Sequence, residues 1–221
     1  MTDSPASVRI PAGSVVLDGL LGLPPGAAGI VLFAHGSGSS RLSPRNTHVA
    51  RELREAAIGT LLFDLLTAEE SEERALVFDV ELLARRLRVA TEWVRARPAT
   101  KELPIGYFGA STGAAAALIA AADDPTIAAV VSRGGRPDLA DRALPRVQAP
   151  TLLIVGGDDV PVIAMNESAL RRLRCEKRLA VVPGATHLFE EPGTLEQVVR
   201  LATDWFCDHF PHEPRRSRAS R

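Results

Sequence analysis

A serine in the pentapeptide Gly109-Ala-Ser111-Thr-Gly113 lies between an apolar segment ending at Phe108 and an alanine-rich segment opening near Thr112. A serine hydroxyl becomes a nucleophile only when a base takes its proton and an acid orients that base. Two later apolar runs end in such groups. Thr151–Gly156 leads into Gly157-Asp158-Asp159, and 179–182 leads into Pro183-Gly-Ala-Thr-His187. The chain order Ser111…Asp159…His187 suits acyl transfer from a strand–turn–helix elbow, in which only small residues fit around the serine. The oxyanion of such a reaction needs two N–H donors. Thr112, next after the nucleophile, supplies one, and Ser37 in the loop His35-Gly36-Ser37 is placed to supply the other. His35 reads as a residue that braces this loop and not as a second base.

Four arginines fall on the same end of the elements: Arg41 and Arg45 after the oxyanion loop, and Arg133 and Arg136 after an apolar run ending at Ser132. A guanidinium cluster there could clamp a substrate carboxylate or phosphate. The competing reading pairs them with Asp138, Glu190 or Glu191 on the rim.

The elements that must carry these residues alternate along the chain. Strands are read at 15–23, Ile30–Ala34, 59–64, 104–108, 127–132, Thr151–Gly156 and 179–182. Helices are read at 42–57, 75–97, Thr112–Ala122, 162–173 and 195–210. The 75–97 helix places Leu76, Val80, Leu83, Leu87 and Val94 on one stripe. Short apolar runs without alternation belong to strands buried on both faces, so the pattern predicts a mainly parallel sheet covered by helices on both sides. Sites in such sheets lie at the carboxyl ends of the strands. The segment 132–150 has room for one short lid helix, which predicts a shallow, open pocket.

Length and composition agree with one domain over 1–210 and a basic, disordered tail over 211–221. The chain has 221 residues, 46% hydrophobic and 24% charged, with a net charge of −1. That balance provides no field for nucleic acid or an anionic membrane. The longest apolar run is too short to span a bilayer. The polar first ten residues carry no secretory pattern, and two cysteines, Cys175 and Cys207, make no disulfide framework. Both are read as unreactive and helical, in a reduced, cytoplasmic protein. No motif for a metal or organic cofactor is found.

The motifs HGSGSS at 35–40, GASTG at 109–113, SRGGRPD at 132–138 and GATHLFEEPG at 184–193 together resemble the dienelactone-hydrolase-like group of α/β-hydrolases. The likeness is strongest to the type often fused to phosphoribosyltransferase domains. It runs from about Val8 to Phe210. It implies an α/β-hydrolase fold with an eight-stranded sheet, and triad roles for Ser111, Asp159 and His187. In relatives the acid is the fourth residue of a G-x-x-D turn with an apolar residue three positions on. Asp159 and Val162 meet that register and Asp158 does not. Authentic dienelactone hydrolases use cysteine where this chain has Ser111, which favours a general serine esterase acting on a small ester or acyl substrate. A thioesterase or C–C bond hydrolase would use the same machinery. A binding or regulatory module associated with a phosphoribosyltransferase-type enzyme is the alternative of another class. The oligomeric state is open.

Overall fold

Continuous apolar runs build the middle of the sheet in the computed structural model, which describes residues 4–210. The expected basic tail, 211–221, lies outside the described residues. Strands β3 (Ile30–Ala34), β4 (Gly59–Phe63), β5 (Ile105–Ala110), β6 (Ala129–Arg133) and β7 (Thr151–Gly156) are buried at every position. Strands β1 (Ala6–Ala12), β2 (Val15–Gly22) and β8 (Lys177–Val182) complete an eight-stranded sheet in the order β1-β2-β4-β3-β5-β6-β7-β8. β2 is antiparallel to both its neighbours, and the pairs from β4 to β8 are parallel. The α/β-hydrolase fold with helices on both faces is therefore present.

One face carries α4 (Val80–Arg95) and α5 (Thr112–Ala122), with α6 (Val160–Arg172) packed beside β7 and β8. The other carries α1 (Pro44–Glu55) and α7 (Thr194–His209). Helix α5 is buried from Thr112 to Ala121, and its alanines let it lie close to the sheet under the elbow. Tyr107 on β5 is fully buried and shares a 2.7 Å hydrogen bond with Thr91 of α4, so both buried hydroxyls are satisfied.

Several sequence expectations are corrected. β1 is a strand that the apolar pattern does not show, because only Ile10 and Ala12 of its seven residues are buried. The single helix expected at 75–97 is broken. α2 (Ala68–Glu72) and α3 (Arg74–Val77) precede α4, which starts afresh where the Asp79 carboxylate accepts from Leu82 N–H at 2.9 Å. Cys175 lies in the bend between α6 and β8, not in a helix, and burial raises its thiol pKa above the ordinary value. The segment after β6 holds two 3-10 turns, Pro137–Ala140 and Leu144–Arg146, in place of a lid helix. Among the described residues, no helix is long and apolar enough to cross a membrane.

Candidate active site

The turn from β5 into α5 forces Ser111 to φ 51° and ψ −121°, a conformation that L residues rarely hold and that costs on the order of 1–3 kcal/mol. Its surroundings over-determine it. Ser111 N–H donates to Arg133 O at 3.3 Å, and Ser111 O accepts from Ala114 N–H at 3.1 Å and Arg136 N–H at 3.0 Å. A Cβ on Gly113 would collide with the carbonyl oxygens of Ala34 and His35, so glycine is what lets the elbow sit against the end of β3. A serine at a helix N-cap usually spends its hydroxyl on the first turn. Here the backbone angle prevents that, and Ser111 makes no side-chain cap bond. The Oγ is left for other use.

His187 follows β8 in a loop held by Glu191, whose carboxylate accepts from Thr186 N–H at 3.1 Å and from Thr186 Oγ1 at 2.6 Å. Asp159 stands at the start of α6, after β7. Its Oδ2 lies 2.6 Å from His187 Nδ1, a short, charge-assisted bond. Asp158 is exposed and its side chain makes no hydrogen bond; its N–H donates to Ala185 O at 3.0 Å. Ser111 and His187 flank the same peptide of the 132–136 loop. Ser111 N–H bonds Arg133 O, while a Cβ on Gly134 would sit 3.5 Å from His187 Cε1. The sequence-expected acid, base and nucleophile are thus brought to one end of the sheet.

The oxyanion loop touches the elbow directly: a Cβ on Gly36 would lie 3.0 Å from Ser111 Cβ. Ser37 N–H donates to Thr112 Oγ1 at 3.0 Å, a use of that donor which the sequence did not suggest. Thr112, first residue of α5, presents an N–H with no intrahelical acceptor. His35 does brace the loop. Its Nδ1 lies 3.0 Å from Gly36 O, and its Nε2 accepts from Leu65 N–H at 3.1 Å, which together require the neutral Nδ1–H tautomer. Burial lowers its pKa below the ordinary 6.5, the bond to Gly36 opposing.

Beside this loop lies a cavity of about 470 Å³. Its walls include His35, Ser37, Ser40, Leu66, Val77 and Leu83. The far wall therefore comes from the connection between β4 and α4, which carries α2 and α3, and not from the segment after β6. Sequence reasoning missed this wall by reading 75–97 as one helix. The apolar triplet Leu76-Val77-Phe78 just ahead of a capping Asp79 was the available signal.

Three of the four arginines are paired with acids. Arg41 binds Asp64 through its guanidinium, and through its backbone N–H at 2.7 Å. Arg45 reaches Glu190 at 3.0 Å, and Arg136 makes a bidentate bond to Asp138 at 2.8 Å through Nε and Nη2. Arg133 has no carboxylate. Among the described residues, no group of three or more His, Cys, Asp or Glu side chains is arranged to hold a metal ion.

The model of the dienelactone hydrolase family matches residues 50–206. A solved dienelactone hydrolase from Anabaena variabilis is 58% identical, with a TM-score of 0.93, over 96% of this chain and 100% of that one. A solved "a/b serine hydrolase without lid" from Xanthomonas campestris shares the fold at a TM-score of 0.76 and 24% identity, over 97% of this chain and 99% of that one. A Mycobacterium tuberculosis protein described as a "putative phosphoribosyl transferase" is 60% identical over 92% of this chain and 46% of its own length. The chain thus spans about half the length of that curated relative.

Proposed function

The chain belongs to the dienelactone hydrolase family and is a hydrolase, and from that premise we propose that it cleaves a small carboxylic ester through a serine acyl-enzyme. The observation that carries this reading is the 2.6 Å Asp159–His187 bond beside a strained Ser111 whose hydroxyl is not spent on capping. In the proposed mechanism His187 Nε2 takes the Ser111 proton as Oγ attacks the carbonyl carbon. Asp159 keeps the other ring proton on Nδ1 and stabilises the imidazolium that forms. The tetrahedral oxyanion is held by Thr112 N–H and by Ser37 N–H, which turns from Thr112 Oγ1 as charge develops. Collapse expels the alcohol, which takes its proton from His187. Water, deprotonated by the same imidazole, then releases the acid.

The cavity supports an uncharged group on the substrate. Its walls are made of serines, glycines, aliphatic side chains and a histidine held neutral, with no charged side chain among them, and the volume suits a compact molecule. No cofactor is required by these steps. The protein works on a small molecule, in the cytoplasm, without nucleic acid or membrane. A second reading, a binding or regulatory module beside a phosphoribosyltransferase-type activity, draws on the description of the Mycobacterium tuberculosis relative.

Covalent labelling with a fluorophosphonate, followed by a panel of aryl esters, tests the choice. The wild type is expected to be labelled at Ser111 and Ser111→Ala to be unlabelled, inactive and folded. A folded Ser111→Ala protein that still labels and turns over would remove the serine-hydrolase reading. A wild type that neither labels nor turns over would favour the binding module.

A further inference from the structure

Arg133 is 7% exposed, at the carboxyl end of β6 on the face covered by α1 and α7. A buried guanidinium is normally matched by a carboxylate, because leaving its charge uncompensated is strongly destabilising. Arg133 has none. Its one hydrogen-bond acceptor is Asn46 Oδ1, at a long 3.4 Å, and its Nε is buried without a partner. The guanidinium carbon lies 5.9 Å from the Phe189 ring centre, a weak aromatic compensation.

The adjacent groups make the imbalance larger. Asn46 is in the first turn of α1, the positive end of that helix's dipole. Arg45 precedes it, and its Nε is also buried without a partner. Glu190 bonds Arg45 through Nη1 and is 63% exposed, so it neutralises the outer edge of the pair and not the inner one. Burial, and the nearby positive charge of Arg45, pull the Arg133 pKa down to about 10, so the group still carries its charge at neutral pH. Two cations and a helix N-terminus converge, and the one carboxylate on them, Glu190, engages Arg45 from the exposed side and leaves Arg133 without an anion.

We propose that Arg133, Arg45 and the first turn of α1 form a binding site for a compact oxyanion, a carboxylate or phosphate. The anion would supply the acceptors that both Nε groups lack and would relieve the repulsion between the two guanidinium groups. Its place also gives it a consequence. The backbone carbonyl of Arg133 accepts from Ser111 N–H, and its side chain lies against Phe189, two residues beyond His187. Anion binding therefore reaches both the elbow and the histidine loop. The proposal does not depend on the triad chemistry, and its first test is made without turnover.

Titration of the full-length protein with inorganic phosphate and with acetate, against chloride at matched ionic strength, is followed by calorimetry and thermal unfolding. Saturable binding is expected in the wild type and, unchanged, in Ser111→Ala. It should weaken at least about tenfold in Arg45→Gln and in Arg133→Gln, the loss of a charge-assisted bond. Arg45→Gln keeps the test decisive if Arg133→Gln fails to fold, since Arg45 sits at the surface edge of the site. Absence of saturable binding in the wild type, or binding that Arg45→Gln leaves intact, overturns the proposal. A KM comparison of a neutral ester with one bearing a terminal carboxylate then separates the sources. A rise confined to the charged ester in Arg45→Gln means that the anion arrives on the substrate. Equal KM values, with phosphate binding lost, mean that it is a free ion.

Discussion

Replacing Asp159 by Asn, with Asp158→Asn as its control, isolates the acid from everything else in the turn. The 2.6 Å bond to His187 Nδ1 demands a ring proton on that nitrogen and an acceptor opposite. An asparagine can present its NH2 group there instead, which leaves Nδ1 as an acceptor and moves the proton to Nε2, the nitrogen that must receive the Ser111 proton. The loss of a triad acid in this way costs about 10⁴ in kcat, or roughly 5.5 kcal/mol on the barrier. Asp158 is exposed and its side chain has no hydrogen bond, so its substitution should change stability by no more than about 0.5 kcal/mol and leave kcat close to wild type. The assay is steady-state hydrolysis of a short-chain aryl ester, with circular dichroism melts to show that both variants are folded. If Asp158→Asn collapses kcat and Asp159→Asn leaves it within tenfold, the tautomer argument fails and the acid sits one residue upstream.

Gly113→Ala should destabilise the protein by more than about 2 kcal/mol, since the added methyl meets two backbone carbonyls that have nowhere to move; a melting temperature within a degree of wild type would contradict this. His35 is neutral in the fold and its pKa is lowered, so the unfolded chain protonates first. Stability should therefore fall as pH drops below the ordinary value of 6.5. His35→Gln should flatten that slope below the ordinary value of 6.5, and an unchanged slope in denaturant midpoints would assign it elsewhere. Val77→Trp should fill the cavity and reduce kcat/KM for butyl and longer acyl or alcohol groups far more than for acetates. A uniform change across the ester series would mean that substrates do not enter there.

The parallel core was legible because buried strands lack alternation: IVLFA, GTLLF and TLLIVG announce themselves without any partner being known. The edge was not. β1 buries two residues and contains Pro11, which an edge strand tolerates and a central one does not. The placement of Ser111, Asp159 and His187 was legible because each lies within five residues after the end of a strand, and strand ends gather at one end of a parallel sheet. The arginines share that position, but their roles depend on partners that no local pattern reveals. Arg45 and Glu190 are 145 residues apart in sequence. Arg133 ends β6 and is buried, whereas Arg136, three residues on, lies in the following loop and pairs with Asp138. Ser37 N–H was expected to be open, and the Thr112 hydroxyl that engages it became relevant only once the loop and the elbow were in contact.

Helices α2 and α3 wall the cavity and yet contribute no buried residue. Their attachment includes a Thr67 cap and an ion pair, at 2.7 Å, between Glu70 and Arg86 of α4. Apart from Leu76 and Val77, which rest part-buried against the core, such a segment is free to vary without disturbing the sheet. Selection, or a designer, can therefore retune what the enzyme accepts by rewriting about a dozen surface residues, while the elbow, the histidine loop and the core stay under separate and stricter constraint.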